Sequence, residues 1–298
     1  MLLAATILID GFVYAAWLFI VAVGLTLVFG VMKILNVAHG QFYSIGAYAT
    51  ASLVGLWFVK GYAPAASYLV MLLAALAAGL IVGFVLERVV LRVIYGRDEV
   101  IGALATYAVF LILEDTVRLS FGTGAYLASQ PRELMGTSEL GELTIANYDL
   151  FLVLVAILVG VLFWLGLNRT RVGKLLLAVI HDREMAQAFG VNVNKLFTIT
   201  FVIGGILGAL GGALTSPILS VSPGIGVEVI VLAFAVVVIG GMGSVVGALI
   251  GALIVGIARA MAVHLAPNLE LFVIYAVMTA VLAIRPFGLF ARGEARKI

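Results

Sequence analysis

The 298-residue sequence contains no cysteine, which removes disulfide frameworks, thiolate nucleophiles and cysteine-ligated metals from consideration. Charge is scarce as well, with 11% Asp, Glu, Lys or Arg against 64% hydrophobic residues. No ordinary water-soluble domain can carry that composition on its surface without aggregating. The net charge of +2 is too small, and the basic residues too dispersed among loops, to indicate a nucleic-acid partner. ATP hydrolysis lacks its signature: the Gly173–Lys174 pair is followed by Leu175 instead of Ser or Thr, with no glycine five residues before Gly173. His39, His181 and His264 lie far apart and no GxSxG elbow occurs, so neither a local metal site nor a serine nucleophile is indicated. A non-catalytic chain without a cofactor of its own is expected. No lysine precedes Lys33, so the opening apolar run lacks the basic flank of a signal peptide and is expected to be a retained span.

What is present in abundance is long apolar sequence. Membrane-spanning helices need roughly 17 to 25 mostly apolar residues, and nine windows qualify, near 11–32, 41–59, 65–87, 99–119, 149–167, 196–214, 226–240, 244–263 and 269–287. The expected fold is an all-α polytopic bundle of about eight to nine transmembrane helices, forming a single domain over 1–298. The count stays at eight to nine because 226–240 is short and its neighbour follows at once, so the pair can also be read as one broken element.

Lysine and arginine in short loops mark the cytoplasmic side. Arg88, Arg92 and Arg97 in the 88–98 loop, five basic residues in the 168–195 loop, and Arg292, Arg296 and Lys297 in the tail place these three segments, and the C-terminus, inside. The 120–148 loop, with Glu133, Glu139 and Glu142 and then Asp149, is expected outside. If every window crosses, parity puts the N-terminus outside, Lys33 inside, and the "GGMGS" stretch at 240–244 in a cytoplasmic turn. If the stretch from Asn36 to Ala49 sits in a broken helix, the N-terminus is expected inside instead. Asp10, Glu87, Glu114, Asp115, Glu228 and Glu270 are all assigned to span ends, where a charge escapes the mid-membrane cost of about 2.5 to 3.5 kcal/mol. Glu114 and Arg118 have the spacing of a pair on one helix face, and Arg259 and His264 read as interfacial anchors.

Three features go beyond a generic bundle. Gly204, Gly208 and Gly212, and again Gly243, Gly247 and Gly251, form four-residue stripes that let helix backbones approach closely. They suit packing within one subunit, packing against a second subunit, or the lining of a pathway. The stretch "NVAHGQFYSIGAYA" sets Asn36, His39, Gly40 and Gln41 among apolar residues. Three readings are open for it: a cytoplasmic turn, helix-to-helix hydrogen bonding, or a broken helix beside a translocation path. Finally, "NRTRVGKLLLAVIHDREMAQAFGVNVNK" at 168–195 is too charged to span and too long for a tight turn. Its apolar residues Leu175, Leu176, Val179, Ile180, Met185, Ala186 and Phe189 predict one or two short amphipathic helices, the second ended by Gly190. These lie either on lipid or against a soluble partner.

Within that loop, "EMAQAFG" at Glu184–Gly190 resembles the E-A-A-x-x-x-G coupling motif of ABC importer permeases, with Met185 departing at its second position. Together with "GLTLVFGVMKILNVAHGQFYSIGAY" at 24–48, "HDREMAQAFGVNVNKLFTITFVIGGILGALGGAL" at 181–214 and "VVVIGGMGSVVGALIGALIVG" at 236–256, it makes nearly the whole chain resemble the LivH-like branched-chain amino acid permeases. The resemblance implies a subunit of a bacterial inner-membrane importer. It also implies a homologous second permease subunit, two cytoplasmic ATPase subunits that bind ATP and magnesium, and an extracytoplasmic substrate-binding protein meeting the 120–148 loop. Asp182, Glu184, Ala186 and Gly190 would belong to the ATPase-coupling helix, and the substrate would be a branched-chain amino acid or, as in similar relatives, urea, a short amide or an aromatic acid. An ion-coupled secondary transporter is the competing class, but it calls for inverted repeats and buried coupling acids that the sequence does not display. A channel would explain the glycine stripes and leave the coupling-like loop unexplained.

Overall fold

The computed structural model describes residues 2–141 and 143–290. Glu142 and the basic tail residues Arg292, Arg296 and Lys297 lie outside them. The elements are α1 (Leu2–Met32), α2 (His39–Val59), α3 (Ser67–Leu86), α4 (Arg92–Ile94), α5 (Glu99–Phe121) and α6 (Gln130–Met135). An antiparallel hairpin of β1 (Thr137–Leu140) and β2 (Leu143–Ala146) follows, pairing Thr137 with Ala146. The rest is α7 (Asn147–Arg169), α8 (Arg171–His181), α9 (Arg183–Ala188), α10 (Val193–Thr215), α11 (Ile225–Gly240), α12 (Val245–Leu265) and α13 (Glu270–Ile284). The chain is an all-α multi-pass membrane bundle, with one small hairpin in the 120–148 connection.

Among the described residues seven helices are long and apolar enough to cross a membrane: α1, α2, the unit Pro64–Ile94, α5, α7, α10 and α12. The windows near 226–240 and 269–287 are helical too, but Ile225–Gly240 and Phe272–Ile284 are shorter. The expected 88–98 loop is corrected. One π-helical turn, Glu87–Leu91, carries α3 directly into α4, so only the turn before α5 remains. Ending the span at Glu87 treated its charge as a stop. Glu87 is instead buried, receiving a hydrogen bond from the Tyr95 hydroxyl at 2.7 Å and lying 3.7 Å from Arg88. Burial and the neighbouring carboxylate push the Tyr95 phenol above its ordinary range, so it stays a donor.

Close glycine contacts fix the direction of packing. Gly11 of α1 faces Ile257 of α12 and Gly30 faces Gly243, so the two helices run antiparallel. Gly24 faces Gly204 and Val21 faces Gly211, which makes α10 antiparallel to α1 as well. The bundle therefore has an upper end, with the start of α1, the end of α5, the start of α7 and the end of α12. Its lower end carries Met32, the 95–98 turn, α8, α9 and the Gly241–Ser244 turn. α1 is one unbroken helix from Leu2 to Met32, and the interruption comes after it, before α2. The centre of α1, Leu18 to Val23, is almost completely covered by its neighbours, whereas α7 is peripheral with 11% of its span window buried.

Candidate functional site: a helix that begins at depth

After Met32 the chain does not turn directly into a second helix. Lys33 takes a left-handed conformation (φ 55°), uncommon for a side chain other than glycine, and residues 33–36 then run without helical structure. This segment climbs the side of α5. Ile34 lies against Gly102, the Thr106 hydroxyl donates to the Leu35 carbonyl at 3.0 Å and receives the Val37 N–H at 3.2 Å, and Ala38 packs with Val109 and Phe110. The Gln41 side-chain amide then reaches Glu114 at 2.7 Å. From Gly102 to Glu114 is about 18 Å of helix at 1.5 Å per residue.

A second contact gives the same depth. His39 Nε2 lies 3.0 Å from the carbonyl of Val21, and because a carbonyl only accepts, Nε2–H is the donor. Val21 stands about 16 Å up α1 from Met32. Both routes put the first turn of α2 near half the thickness of a hydrocarbon core of about 30 Å. The reading of Asn36, His39 and Gln41 as a surface turn is therefore corrected, since all three are fully buried. Backbone that leaves the helix at this depth is tolerable because α5, Leu86 at the end of α3 and Val90 in the turn after it cover it.

Glu114 is the residue that sequence reasoning placed wrongly. It is buried, not terminal, and it gathers three elements. Its Oε2 accepts from Gln41, its Oε1 accepts from the Gly224 N–H at 2.9 Å, and Arg118 lies 3.2 Å from Oε1. Gly224 caps the start of α11 with φ 94°, a conformation glycine adopts without strain, and a carboxylate beside a helix N-terminus is favourable. The starts of α2 and α11 also meet backbone to backbone: a Cβ on Gly40 would run into the Gly226 carbonyl. The Glu114–Arg118 spacing was the available signal, while its other two partners are 73 and 110 residues away. Asn36 Oδ1 and Nδ2, His39 Nδ1, Gln41 Oε1 and the hydroxyls of Thr26, Ser44 and Thr200 are buried without a protein hydrogen-bond partner among the described residues.

The glycine stripes face helices of the same chain. A Cβ at Gly204 would meet Val28 and the Gly24 carbonyl, at Gly208 Phe42 and His39, and at Gly212 the Tyr43 carbonyl. Gly243 faces Gly30, Gly247 the Gly240 carbonyl, and Gly251 the Val236 carbonyl. His39 is thus brought beside the first stripe, whereas Gly40 and Gln41 face Gly226 of α11; in the second stripe Gly247 and Gly251 pack α12 on α11, and Gly243 meets α1.

At the lower end the 168–195 segment forms two short helices, each started by its own side-chain cap. Thr170 Oγ1 accepts from the Gly173 N–H at 3.0 Å to start α8, and Asp182 Oδ1 accepts from the Met185 N–H at 2.9 Å to start α9. Gly190 (φ 80°) ends α9: its N–H bonds the Gln187 carbonyl, and the Val191 N–H bonds the Ala186 carbonyl, the paired pattern of a Schellman cap. The apolar residues divide. Leu176, Val179 and Ala186 are buried against α1 and α10 residues, whereas Leu175, Met185 and Phe189 are exposed, Phe189 by 82%. Asp182, Glu184 and Gly190 are exposed beside them. No cluster of metal-ligating side chains occurs among the described residues.

Comparison with known proteins agrees with this architecture. Residues 7–282 match the family described as branched-chain amino acid transport system / permease component. The high-affinity branched-chain amino acid transport system permease protein BraD of Pseudomonas aeruginosa is 30% identical, covering 98% of this chain and 97% of its own. The corresponding LivH of Escherichia coli is 29% identical over 94% of this chain and 92% of its own. The ribose import permease RbsC of Escherichia coli is 28% identical over 74% of this chain and 65% of its own. The chain belongs to the branched-chain amino acid transport system permease family.

Proposed function

We propose that the chain is the membrane permease subunit of an ATP-driven ABC importer of the bacterial inner membrane, carrying branched-chain amino acids inward. The observation that carries the reading is the break before α2. A helix start, a glycine-lined approach of α2 to α10 and α11, and a group of unpartnered polar atoms converge near mid-depth. An otherwise apolar path needs a few convergent donors and acceptors to handle a polar headgroup. Asn36, His39, Gly40 and Gln41 are assigned to that path. The family and its branched-chain amino acid relatives support the substrate.

In this reading the lower end is cytoplasmic, as is the C-terminus. Asp182, Glu184, Ala186 and Gly190 form the coupling element, with the exposed Met185 and Phe189 seated in a cleft of a soluble ATPase. Two ATPase subunits bind ATP and magnesium and close on α8 and α9. Because α8 and α9 are buried against α1 and α10 through Leu176, Val179 and Ala186, that push reaches the helices around the break. A homologous second permease completes the membrane part, lipid surrounds it, and the upper 120–148 segment receives a substrate-binding protein. The whole of 1–298 acts as one permease domain.

Uptake by the reconstituted importer, with leucine, isoleucine and valine presented by the cognate binding protein, tests the substrate. Failure of all three to bind that protein overturns the assignment. His39→Ala is expected to lower uptake while the subunits still co-purify, and unchanged uptake removes His39 from the path.

A further inference from the structure

At the lower end, between the foot of the climbing segment, the turn before α5 and the start of α9, lies a partly enclosed cleft of about 180 Å³. Its floor is apolar and buried: Met32, Ile34, Gly102 and Phe197. Its rim is exposed and carries charges of both signs, Lys33, Arg97 and Arg183 with Asp98 and Glu99. Among the described residues none of these five forms an ion pair. Asp98 instead caps α5 through the Val100 N–H, and the Arg183 guanidinium stacks on Phe197. Lys33 stands at this rim in its left-handed conformation. Held strain of that kind gathers at ligand sites and switch regions.

We infer that this cleft binds a small zwitterion with an apolar side chain, a free amino acid, on the cytoplasmic side of the membrane. The inference rests on the proposed orientation and names the state in which the transported molecule leaves. An ammonium and a carboxylate on one carbon need unpaired partners of both signs close together, which the rim supplies, and the side chain needs the dry floor beneath. The size fits, since a cavity of about 150 Å³ accommodates benzene. A nucleotide is too large. A phosphate or an anionic lipid headgroup would meet Asp98 and Glu99 as well as the cations, and like charge disfavours it. Arg183 belongs to α9 and Lys33 to the foot of the climbing segment, so an occupant touches both the coupling helices and the break.

The chain has no native cysteine, so Ile94→Cys places a single reporter thiol on the cleft wall. Maleimide labelling of the purified permease in nanodiscs is expected to be slowed by millimolar leucine or valine, and not by isovalerate or isobutylamine, which each carry half of the headgroup. Arg97→Ala and Glu99→Gln, added separately, are expected to raise the half-protecting concentration at least tenfold while the unprotected labelling rate stays the same. Arg97 and Glu99 are both exposed, so neither change threatens the core. Equal protection by isovalerate, protection by inorganic phosphate or anionic lipid in place of leucine, or no protection at all overturns the site. Uptake keeps the two readings apart: normal leucine uptake without protection defeats the cleft alone, whereas protection without any branched-chain uptake defeats the transport assignment and leaves an amino acid site.

Discussion

The two ends of the bundle treat charge differently. At the upper end Asp10 pairs with His264 at 2.7 Å, Glu270 with Arg259 and Asp149 with Arg132 at 3.4 Å, and deeper in the same half Glu114 lies 3.2 Å from Arg118. At the lower end Arg88 and Glu87, 3.7 Å apart, form the sole ion pair among the described residues, although Lys33, Arg97, Asp98, Glu99, Arg183 and Glu184 are all nearby. Depth explains much of the contrast. Glu114, Arg118 and Arg259 sit within apolar helices, where an uncompensated charge is costly, and pairing offsets that cost. The lower charges stand in water, where pairing is worth little and leaving them free keeps them available to partners.

The sharpest way to break the contrast is to remove what both ends share. Gly212→Val would drive a side chain into the Tyr43 carbonyl, a clash with backbone that no rotamer relieves. The expected cost exceeds about 4 kcal/mol, with no monodisperse permease in size-exclusion chromatography. Gly55→Ala, with nothing within 4 Å, is the matched control and should elute as wild type.

Next come changes confined to the lower end. Glu184→Arg and Gly190→Trp are expected to cut uptake at least tenfold and weaken co-purification of the ATPase, with membrane insertion intact. Gly190→Trp acts through the lost left-handed cap, Glu184→Arg through an exposed contact. Normal uptake in both would make the lower end as passive as the upper.

Glu114→Ala tests the deepest upper pair. It strands the Gln41 amide and the Gly224 N–H, at a cost of about 2 to 4 kcal/mol, read as a lowered melting temperature in detergent. Glu114→Gln should recover part of the loss, and a neutral Glu114→Ala would show that the starts of α2 and α11 hold each other without it.

The smallest effect is expected from Asp10→Asn. The pair with His264 is half open to solvent, and such pairs contribute about 1 kcal/mol or less. A melting shift as large as that of Glu114→Ala would remove depth as the explanation of the contrast.

Much of this molecule was legible in its order of residues. Apolar run length gave the long helices, and apolar spacing with the helix-stop Gly190 gave the small lower ones, because both are local properties of the chain. The glycine stripes announced close approach without naming the partners. Other features were misread for a common reason. Glu87 and Glu114 were assigned to span ends because a charge there escapes the mid-membrane cost; only the contacts from Tyr95, Gln41 and Gly224 show how each is kept inside.

From the order of residues alone came membrane residence, the resemblance to a permease family and the helix bounds to within a few residues, except that α1 starts nine residues before its window and the third span runs seven residues past Glu87. Membrane residence and helix bounds follow from composition and run length, whereas the family rests on resemblance along nearly the whole chain. Contacts made on folding are what bury Asn36, His39 and Gln41 near mid-depth, join two helix starts through Glu114, and pair the charges of the upper half while leaving most of those at the lower end unpaired. Depth and pairing depend on residues as far apart as Asp10 and His264, and no local pattern encodes which distant backbone will cover a break.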